Sequence, residues 1–191
     1  MLRIIAGTHG GRRLETEPGG RVRPTAERVR EAVFNKLMHG LITEGGAALT
    51  GVRVLDVFAG VGAMGLEALS RGAAHVTFID LAGRSLRLVE RNAKMLGEEE
   101  QVSLQLRDGT APGAAPDTFE LVFLDAPYGS GLSVPALAAL AREGWIGHEG
   151  VVVAERAAGE KFETPDVFAM LDERRYGVAK VAFLRYEGEG P

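Results

Sequence analysis

Four short apolar runs, each followed by an aspartate, constrain the fold of this chain most strongly. The runs cover residues 52–55, 75–79, 102–106 and 121–124, and the aspartates are Asp56, Asp80, Asp108 and Asp125. Helical patterns over 63–70, 85–96 and 134–142 alternate with these runs, and a fifth strand is predicted over 151–154. Such alternation predicts a doubly wound α/β fold, with a mostly parallel sheet and helices on both faces. The aspartates then share the edge where such sheets bind ligands.

The C-terminal tail completes the predicted sheet. Strand patterns over 167–175 and 178–186 have no helix between them, so we expect an antiparallel pair that brings the sheet to seven strands. The chain has the length of one domain. We therefore expect a single domain over 1–191, in which residues 1–40 extend a catalytic core of residues 50–191.

The N-terminal extension contains a predicted hairpin and a predicted helix. Runs 2–6 and 12–14 flank a glycine-rich turn, which is typical of a small β-hairpin. A helical pattern then runs from Pro24 to near Gly40, and Val29, Val33 and Leu37 recur on one face of it.

Charge is distributed unevenly along the chain. Residues 1–36 carry eight Arg or Lys against four Asp or Glu, so this segment has a net charge of +4 while the whole chain has −4. A basic segment of this size suits a nucleic-acid partner, but it is also common on ordinary solvated helices. On the first interpretation, RNA phosphates would be bound by Arg3, Arg12, Arg13, Arg21, Arg23, Arg28 and Arg30.

Composition excludes several other classes. The chain has no cysteine, which rules out disulfides and thiolate metal sites, and its four histidines are too scattered to suggest ligands, so we expect no metal. It also lacks a long apolar run or a signal peptide. We therefore expect a cytoplasmic protein without a membrane partner, and a monomer.

The first motif is a glycine-rich loop after the first strand. Gly60, Gly62 and Gly65 have the spacing of a dinucleotide-binding loop, and Asp80 follows Gly60 by 20 residues. Asp56 argues against a dinucleotide, because a carboxylate there would repel the pyrophosphate that such a loop receives at a helix N-terminus. The same carboxylate attracts the ammonium and sulfonium groups of S-adenosylmethionine. Asp80 then suits the ribose hydroxyls and Asp108 the adenine amine.

The second motif is Asp125-Ala126-Pro127-Tyr128, directly after the fourth strand. An amine on a base ring is a poor nucleophile because its lone pair is delocalised. Asp125 and a backbone carbonyl of this loop could accept its protons and orient it toward a methyl donor. Tyr128 could stack on a base that has swung out of its helix.

These motifs resemble those of amino-methyltransferases, whose loop reads D/N-P-P-Y/F. The N-terminal sequence narrows the resemblance to the bacterial RsmD family: residues 3–7, 11–14 and 23–31, with Phe34-Asn35, are similar to that family. The likeness covers almost the whole chain. It implies a Rossmann-like class I methyltransferase fold, the cofactor S-adenosylmethionine, and methylation of guanine N2 in 16S ribosomal RNA, with guanine 966 as the family expectation.

The resemblance also assigns residues and a partner. It implies a target-base site at Asp125, Ala126, Pro127 and Tyr128, and 16S RNA or a small-subunit assembly particle as the partner. Ala126 departs from the family's usual proline, although it still supplies the backbone carbonyl. The expected cofactor contacts are Asp56, Phe58, Ala59, Gly60, Gly62, Asp80, Leu81 and Asp108.

Three alternatives stay open on sequence alone. The first is the same chemistry on another amine, such as adenine N6 or a protein glutamine, although those enzymes more often begin the motif with Asn. The second is an RNA-binding module that has lost its activity. The third is a nicotinamide-dependent oxidoreductase, which Asp56 disfavours.

Overall fold

A computed structural model describes residues 1–17, 24–38 and 49–188. Its central element is a seven-stranded sheet in the order β3-β2-β1-β4-β5-β7-β6. The strands are β1 (Arg53–Val57), β2 (His75–Asp80), β3 (Val102–Leu106), β4 (Phe119–Asp125), β5 (Ile146–Ala157), β6 (Phe168–Tyr176) and β7 (Ala179–Tyr186). The helices are α1 (Pro24–Lys36), α2 (Ala63–Ser70), α3 (Gly83–Leu96) and α4 (Ser133–Arg142).

The sheet is parallel from β3 to β5 and antiparallel in its last three strands. After β1 the chain winds outward through β2 to β3, and then returns to place β4 on the other side of β1. This reversal makes the boundary between β1 and β4 the switch point, where doubly wound sheets bind ligands. The predicted sheet, including the antiparallel pair at the tail, is confirmed.

Apolar residues pack on both faces of the sheet, as alternating strand residues require. One core contains the predicted α1 residues Val29 and Val33 together with residues of α2 and α3. The other contains α4 and the buried Trp145, which stacks on Phe119. In the described part of the chain, helices thus cover both faces, with α1, α2 and α3 on one and α4 on the other.

The N-terminal arm, which we define as residues 1–17, packs on the face that carries α2 and α3. The two predicted hairpin runs do pair in antiparallel fashion, but through a single bridge between Arg3 and Arg13 in place of two extended strands. The fully buried Glu67 of α2 accepts the backbone N–H groups of Ile5 at 2.7 Å and Ala6 at 3.1 Å. The arm is therefore held mainly by the helices beneath it.

Several element bounds differ from the sequence expectation. The first strand includes Asp56, because this residue pairs with Phe78 and Phe123 on both sides within the sheet. The fifth strand begins at Ile146, before the Gly-rich stretch that ends at Gly150. The predicted end of α1 near Gly40 lies outside the described residues. No helix in 1–17, 24–38 or 49–188 is long and apolar enough to cross a membrane.

Candidate active site

Three carboxylates meet at the carboxyl ends of the parallel strands. Asp56 of β1 is in register with Phe78 of β2 and Phe123 of β4. Asp80 and Asp125 each lie two residues farther along those strands, so all three side chains belong to the same face of the sheet. This is the face that α1, α2 and α3 cover. The predicted convergence of these aspartates at one edge therefore follows from the strand register.

Asp56 is buried beneath the glycine loop, with 2% of its surface exposed. Its Oδ2 accepts the backbone N–H of Gly65 at 2.9 Å, which ties β1 to the first turn of α2. The pKa of Asp56 is raised to about 8, mainly by burial and also by the nearby charges of Asp125 and Asp80, while the Gly65 hydrogen bond opposes the shift. A cation bound at this edge would favour the ionised form of Asp56.

The glycine loop takes its shape from β1 and β2. Phe58 has a φ of 61°, which is a strained conformation for an aromatic residue and is found most often at ligand sites. The next residue, Ala59, donates its N–H to Ile79 at 3.1 Å, and Gly60 donates to Asp80 Oδ2 at 2.9 Å. The loop is thus fixed against β2 by Asp80, the residue predicted to bind the ribose hydroxyls.

Gly65 is required by close packing between α2 and the sheet. A Cβ atom at this position would lie 2.4 Å from Cε1 of Phe78 and 2.7 Å from Cγ1 of Val76. Because both contacts are far inside van der Waals distance, no other residue fits without moving α2. The third glycine of the motif therefore sets the distance between helix and strand.

The part of the site around Asp80 combines polar and apolar groups. Asp80 accepts a second N–H, that of Ala82 at 2.7 Å, through Oδ1. Leu81 beside it is 64% exposed, and Leu106 at the end of β3 has the same exposure. Sequence reasoning missed Leu106, because a leucine that ends a strand does not reveal from the sequence whether it is buried. Two exposed leucines by a carboxylate suit a flat apolar ring that carries a polar sugar.

Asp108 forms a local turn beyond β3. Its Oδ1 accepts both the N–H and the hydroxyl of Thr110, each at 2.8 Å. The Thr110 N–H, followed by the Thr110 hydroxyl, holds the pKa of Asp108 below its usual range. Gly109 between them has no room for a Cβ, which would lie 2.7 Å from Cγ1 of Val57. The turn is therefore packed against the end of β1, close to the glycine loop.

The side chains of the loop that follows β4 differ from one another in exposure. Asp125 is exposed at the end of the strand, Ala126 is buried, and Pro127 and Tyr128 are exposed. The Tyr128 hydroxyl donates a hydrogen bond to Oε1 of Glu155. Glu155 lies on β5 in register with Asp125, so it adds a fourth carboxylate to the same edge. Sequence reasoning missed Glu155, although it follows the apolar run 151–154 just as the aspartates follow theirs.

The arginines expected to bind RNA fall into different environments. Arg3 pairs with Glu27 at 2.9 Å, and Arg12 donates to the Met95 carbonyl at 2.6 Å. Arg13 and Arg28 are exposed and form no ion pair with any residue in the described part of the chain. Arg21 and Arg23 lie outside the described residues.

Arg30 is a correction to the sequence expectation. Only 4% of its surface is exposed, and it lies 3.7 Å from the buried carboxylate of Glu67 and donates to the Arg3 carbonyl. A guanidinium so enclosed has no face for a phosphate. Its partner is 37 positions away in the chain, so the sequence pattern gave no sign of the pair. Among the described residues, no group of three or more His, Asp or Glu side chains could hold a metal ion.

Comparison with known proteins agrees with this geometry. The family model described as Conserved hypothetical protein 95 matches residues 2–185. A putative ribosomal RNA methyltransferase of Bacillus subtilis is 30% identical over 98% of this chain and 100% of its own length. Ribosomal RNA small subunit methyltransferase D of Escherichia coli is 31% identical over 99% of this chain and 91% of its own length.

A solved structure supports the fold assignment. The structure of a putative methyltransferase from Escherichia coli superposes with a TM-score of 0.82 at 26% identity, over 98% of this chain and 99% of that one. Together with the strand order, this likeness confirms the Rossmann-like fold of class I methyltransferases. On these matches, which span nearly its whole length, the chain belongs to the RsmD family, whose family model carries the description Conserved hypothetical protein 95.

Proposed function

We propose that this chain transfers a methyl group from S-adenosylmethionine to the exocyclic N2 amine of a guanine in 16S ribosomal RNA. The observation that carries the proposal is the position of the Asp125–Tyr128 loop at the same sheet edge as Asp56 and Asp80. A methyl acceptor held by this loop would lie beside a cationic donor held by the carboxylates. The names of the relatives from Bacillus subtilis and Escherichia coli support ribosomal RNA as the substrate class.

The residues at the sheet edge fit the proposed cofactor. Bound there, S-adenosylmethionine supplies an electrophilic methyl group on a sulfonium. The pKa of Asp56 is raised mainly by burial and also by the charges of Asp125 and Asp80, and the negative charge of these carboxylates suits the cationic end of the cofactor. Asp80 keeps lone pairs for ribose hydroxyls beyond its two backbone hydrogen bonds, and Leu81 and Leu106 provide apolar contacts for the adenine. In this proposal, the Asp108 carboxylate accepts a hydrogen bond from the adenine amine.

The loop after β4 would orient the target amine. Asp125 is exposed at the strand end, where its carboxylate can accept one amine proton, and the backbone carbonyl of Ala126 can accept the other. As the nitrogen forms its bond to the methyl carbon, the carbon–sulfur bond breaks and positive charge develops on nitrogen. Asp125 would stabilise that charge, and its carboxylate would accept the proton that the nitrogen then loses. Tyr128 stacks on the extruded base.

The exposed arginines of the N-terminal segment would contact RNA phosphates. Arg13 and Arg28 are the strongest candidates among the described residues, because neither forms an ion pair within the described part of the protein. Arg3 and Arg12 are exposed as well, but each must give up a contact in the protein to reach a phosphate. Arg21 and Arg23 remain predictions from the sequence. A segment of net charge +4 offsets the acidic remainder of the chain.

A reconstituted reaction tests the proposal. Purified protein is incubated with deuterated-methyl S-adenosylmethionine and either naked 16S RNA or small-subunit particles, and the nucleosides are separated by mass spectrometry. We expect deuterated N2-methylguanosine with the wild-type protein and none with Asp125→Ala. Label in N6-methyladenosine would overturn the assignment of the acceptor. RNA binding without label on either substrate would favour the inactive binding module.

A further inference from the structure

Asn92 joins the glycine loop to the N-terminal arm. It lies on α3 and is completely buried. Its Nδ2 donates to the Val61 carbonyl and to the Glu15 carbonyl, each at 3.2 Å, and its Oδ1 accepts the Glu15 N–H at 2.7 Å. One side chain therefore uses both of its donors and its acceptor on backbone groups from two separate segments.

The contact with Asn92 helps to fix one peptide of the glycine loop. Val61 lies between Gly60 and Gly62, which have φ values of 55° and 76°. Glycine adopts many backbone conformations at little cost, so two flanking glycines leave the peptide after Val61 easy to rotate. The hydrogen bond from Asn92 fixes its carbonyl, while the N–H of Gly62 is fixed by Ala59 at 2.8 Å.

The arm depends on Asn92 in the same way. Segment 12–17 runs along α3 from Met95, whose carbonyl binds Arg12, to Arg84, which pairs with Glu17. The side chain of Leu14 is buried in the apolar core, and the other side-chain polar contacts along this path involve exposed groups, including the 2.8 Å ion pair between Arg91 and Glu15. Exposed ion pairs contribute little, whereas the buried bonds of Asn92 cannot be replaced by water without cost. Asn92 is thus the buried polar anchor of segment 12–17, beside the apolar anchor Leu14.

We propose that Asn92 is a positioning residue that couples the cofactor loop to the arm, so that cofactor bound at the loop orders segment 12–17 for RNA. The inference rests on the proposed function for the identity of the two ligands. The coupling runs through one amide: a ligand that fixes Val61 keeps the Asn92 side chain in place, and Asn92 then holds both backbone groups of Glu15. By reciprocity, RNA held by the arm tightens cofactor binding by the same factor.

Hydrogen exchange of the Glu15 amide tests the coupling without any turnover. The probe is S-adenosylhomocysteine, which cannot react. In the wild-type protein we expect it to slow exchange at Glu15 about 5-fold or more, the lower end of typical coupling. In Arg91→Ala, which removes the ion pair to Glu15 but leaves Asn92 intact, the response should persist. In Asn92→Ala, S-adenosylhomocysteine should still slow amide exchange in the glycine loop but should no longer slow it at Glu15.

The outcome of the exchange experiment can be distinguished from the outcome of the test of the proposed function. An unchanged Glu15 exchange rate in wild-type protein that demonstrably binds S-adenosylhomocysteine would overturn the coupling, and this measurement needs no variant to fold. A response that survives Asn92→Ala would overturn the role of Asn92. A wild-type response that requires Asn92, in a protein that methylates no RNA, would support the coupling and contradict the proposed function alone. The ratio of RNA affinities measured with and without S-adenosylhomocysteine should equal the factor by which RNA tightens the binding of S-adenosylhomocysteine.

Discussion

Asp56, Asp80 and Asp125 reach one edge of the sheet from three strands, although only Asp125 is exposed. Burying a carboxylate beside other carboxylates is unfavourable. The pKa of Asp56 is raised for this reason, first by its burial and then by the charges of Asp125 and Asp80. Part of this cost is offset by backbone N–H groups, since Asp56 accepts from Gly65 and Asp80 from Gly60 and Ala82. A bound cation would offset the rest, so binding of the cationic cofactor should stabilise the protein.

Replacement of Asp56 by Asn should change how stability depends on pH. The pKa of Asp56 rises from 3.8 to about 8 in the folded protein, so between these values the folded state binds a proton that the unfolded state lacks. This stabilisation is complete below pH 4 and is lost as the pH rises through 8. Asp56→Asn should therefore be about equal to wild type only below pH 4, and its stability relative to wild type should rise between pH 5 and pH 9 by at least about 2 kcal/mol or roughly 4–8 °C in Tm.

Thermal unfolding of both proteins from pH 5 to pH 9 checks this prediction. The Asn variant keeps the acceptor for the Gly65 N–H, so the comparison isolates the charge. Parallel curves for the two proteins over the whole range would show that Asp56 does not titrate there.

Replacement of Asp125 should remove turnover and leave cofactor binding almost unchanged. Asp125 is exposed at the end of β4, and its assigned role is to accept a proton of the acceptor amine. Loss of one preorganised acceptor of this kind lowers kcat by about 100- to 1000-fold. Single-turnover kinetics and calorimetry with S-adenosylmethionine separate the two effects. A large loss of cofactor affinity with normal turnover at saturation would place Asp125 in the donor site.

Tyr128 has two parts that can be tested separately. The ring is assigned to stacking, and the hydroxyl donates to Glu155. Tyr128→Ala should weaken RNA binding by about 1–3 kcal/mol, whereas Tyr128→Phe keeps the ring and should retain most of the affinity and turnover. Glu155→Gln is the matched control, because it changes the partner of the hydroxyl without touching the ring. Equal inactivity of the Phe and Ala variants would assign the function to the hydroxyl.

At the scale of elements, the arm is ordered by the helices under it. Glu67 accepts two backbone N–H groups of the arm and pairs with Arg71 at 2.7 Å. Ser70 of the same helix accepts the N–H of His9 through its hydroxyl at 3.0 Å. Residues 5–9 of the arm are therefore placed before any partner arrives, which lowers the entropic cost of binding at this part of the arm.

Arg12 and Arg13, two of the three arginines of the arm, should both contribute to RNA binding, although their contacts in the protein differ. Arg13 is exposed without an ion pair to any described residue, whereas Arg12 holds the Met95 carbonyl. If both contact phosphate, Arg12→Ala with Arg13→Ala should lower the slope of log affinity against log salt by about 1.4 units, from about 0.7 per contact. Arg13→Ala alone should account for about half. Fluorescence anisotropy over a salt series measures the slope.

The control for this series is Lys161→Ala, which removes an exposed cation outside the N-terminal segment. Its slope should equal that of the wild type. An unchanged slope in the double variant would mean that the arm only covers α2 and α3 and that RNA binds elsewhere.

Strands and helices were predictable where the pattern is local. The helix over 63–70 has the predicted bounds, and the third strand does too. The first strand extends past its prediction because Asp56 is held in the sheet by neighbours on both sides, which a local propensity against aspartate cannot anticipate. The hairpin is reduced to one bridge, and the run that contains Ile5 and Ala6 is held to α2 by Glu67, a contact distant in the sequence that a local pattern cannot predict.

At the scale of the whole molecule, the charge pattern along the chain was an incomplete guide. Net charge grouped seven arginines as candidates for RNA phosphates, but burial gives Arg30 a structural partner and leaves Arg13 and Arg28 exposed. The site was predictable where an acid follows an apolar run, since parallel strands bring such residues to one edge. Asn92 was not predictable, because its partners are distant in the sequence and its own helix pattern is ordinary.

The most direct test of the central claim is the nucleoside composition of small-subunit RNA in cells that lack this gene. Mass spectrometry of nucleosides from the purified RNA, with the modified position mapped by nuclease fragments, should show the loss of one N2-methylguanosine. A plasmid copy of the wild-type gene should restore it and the Asp125→Ala copy should not. RNA from the deletion strain that keeps every N2-methylguanosine would contradict the proposed substrate.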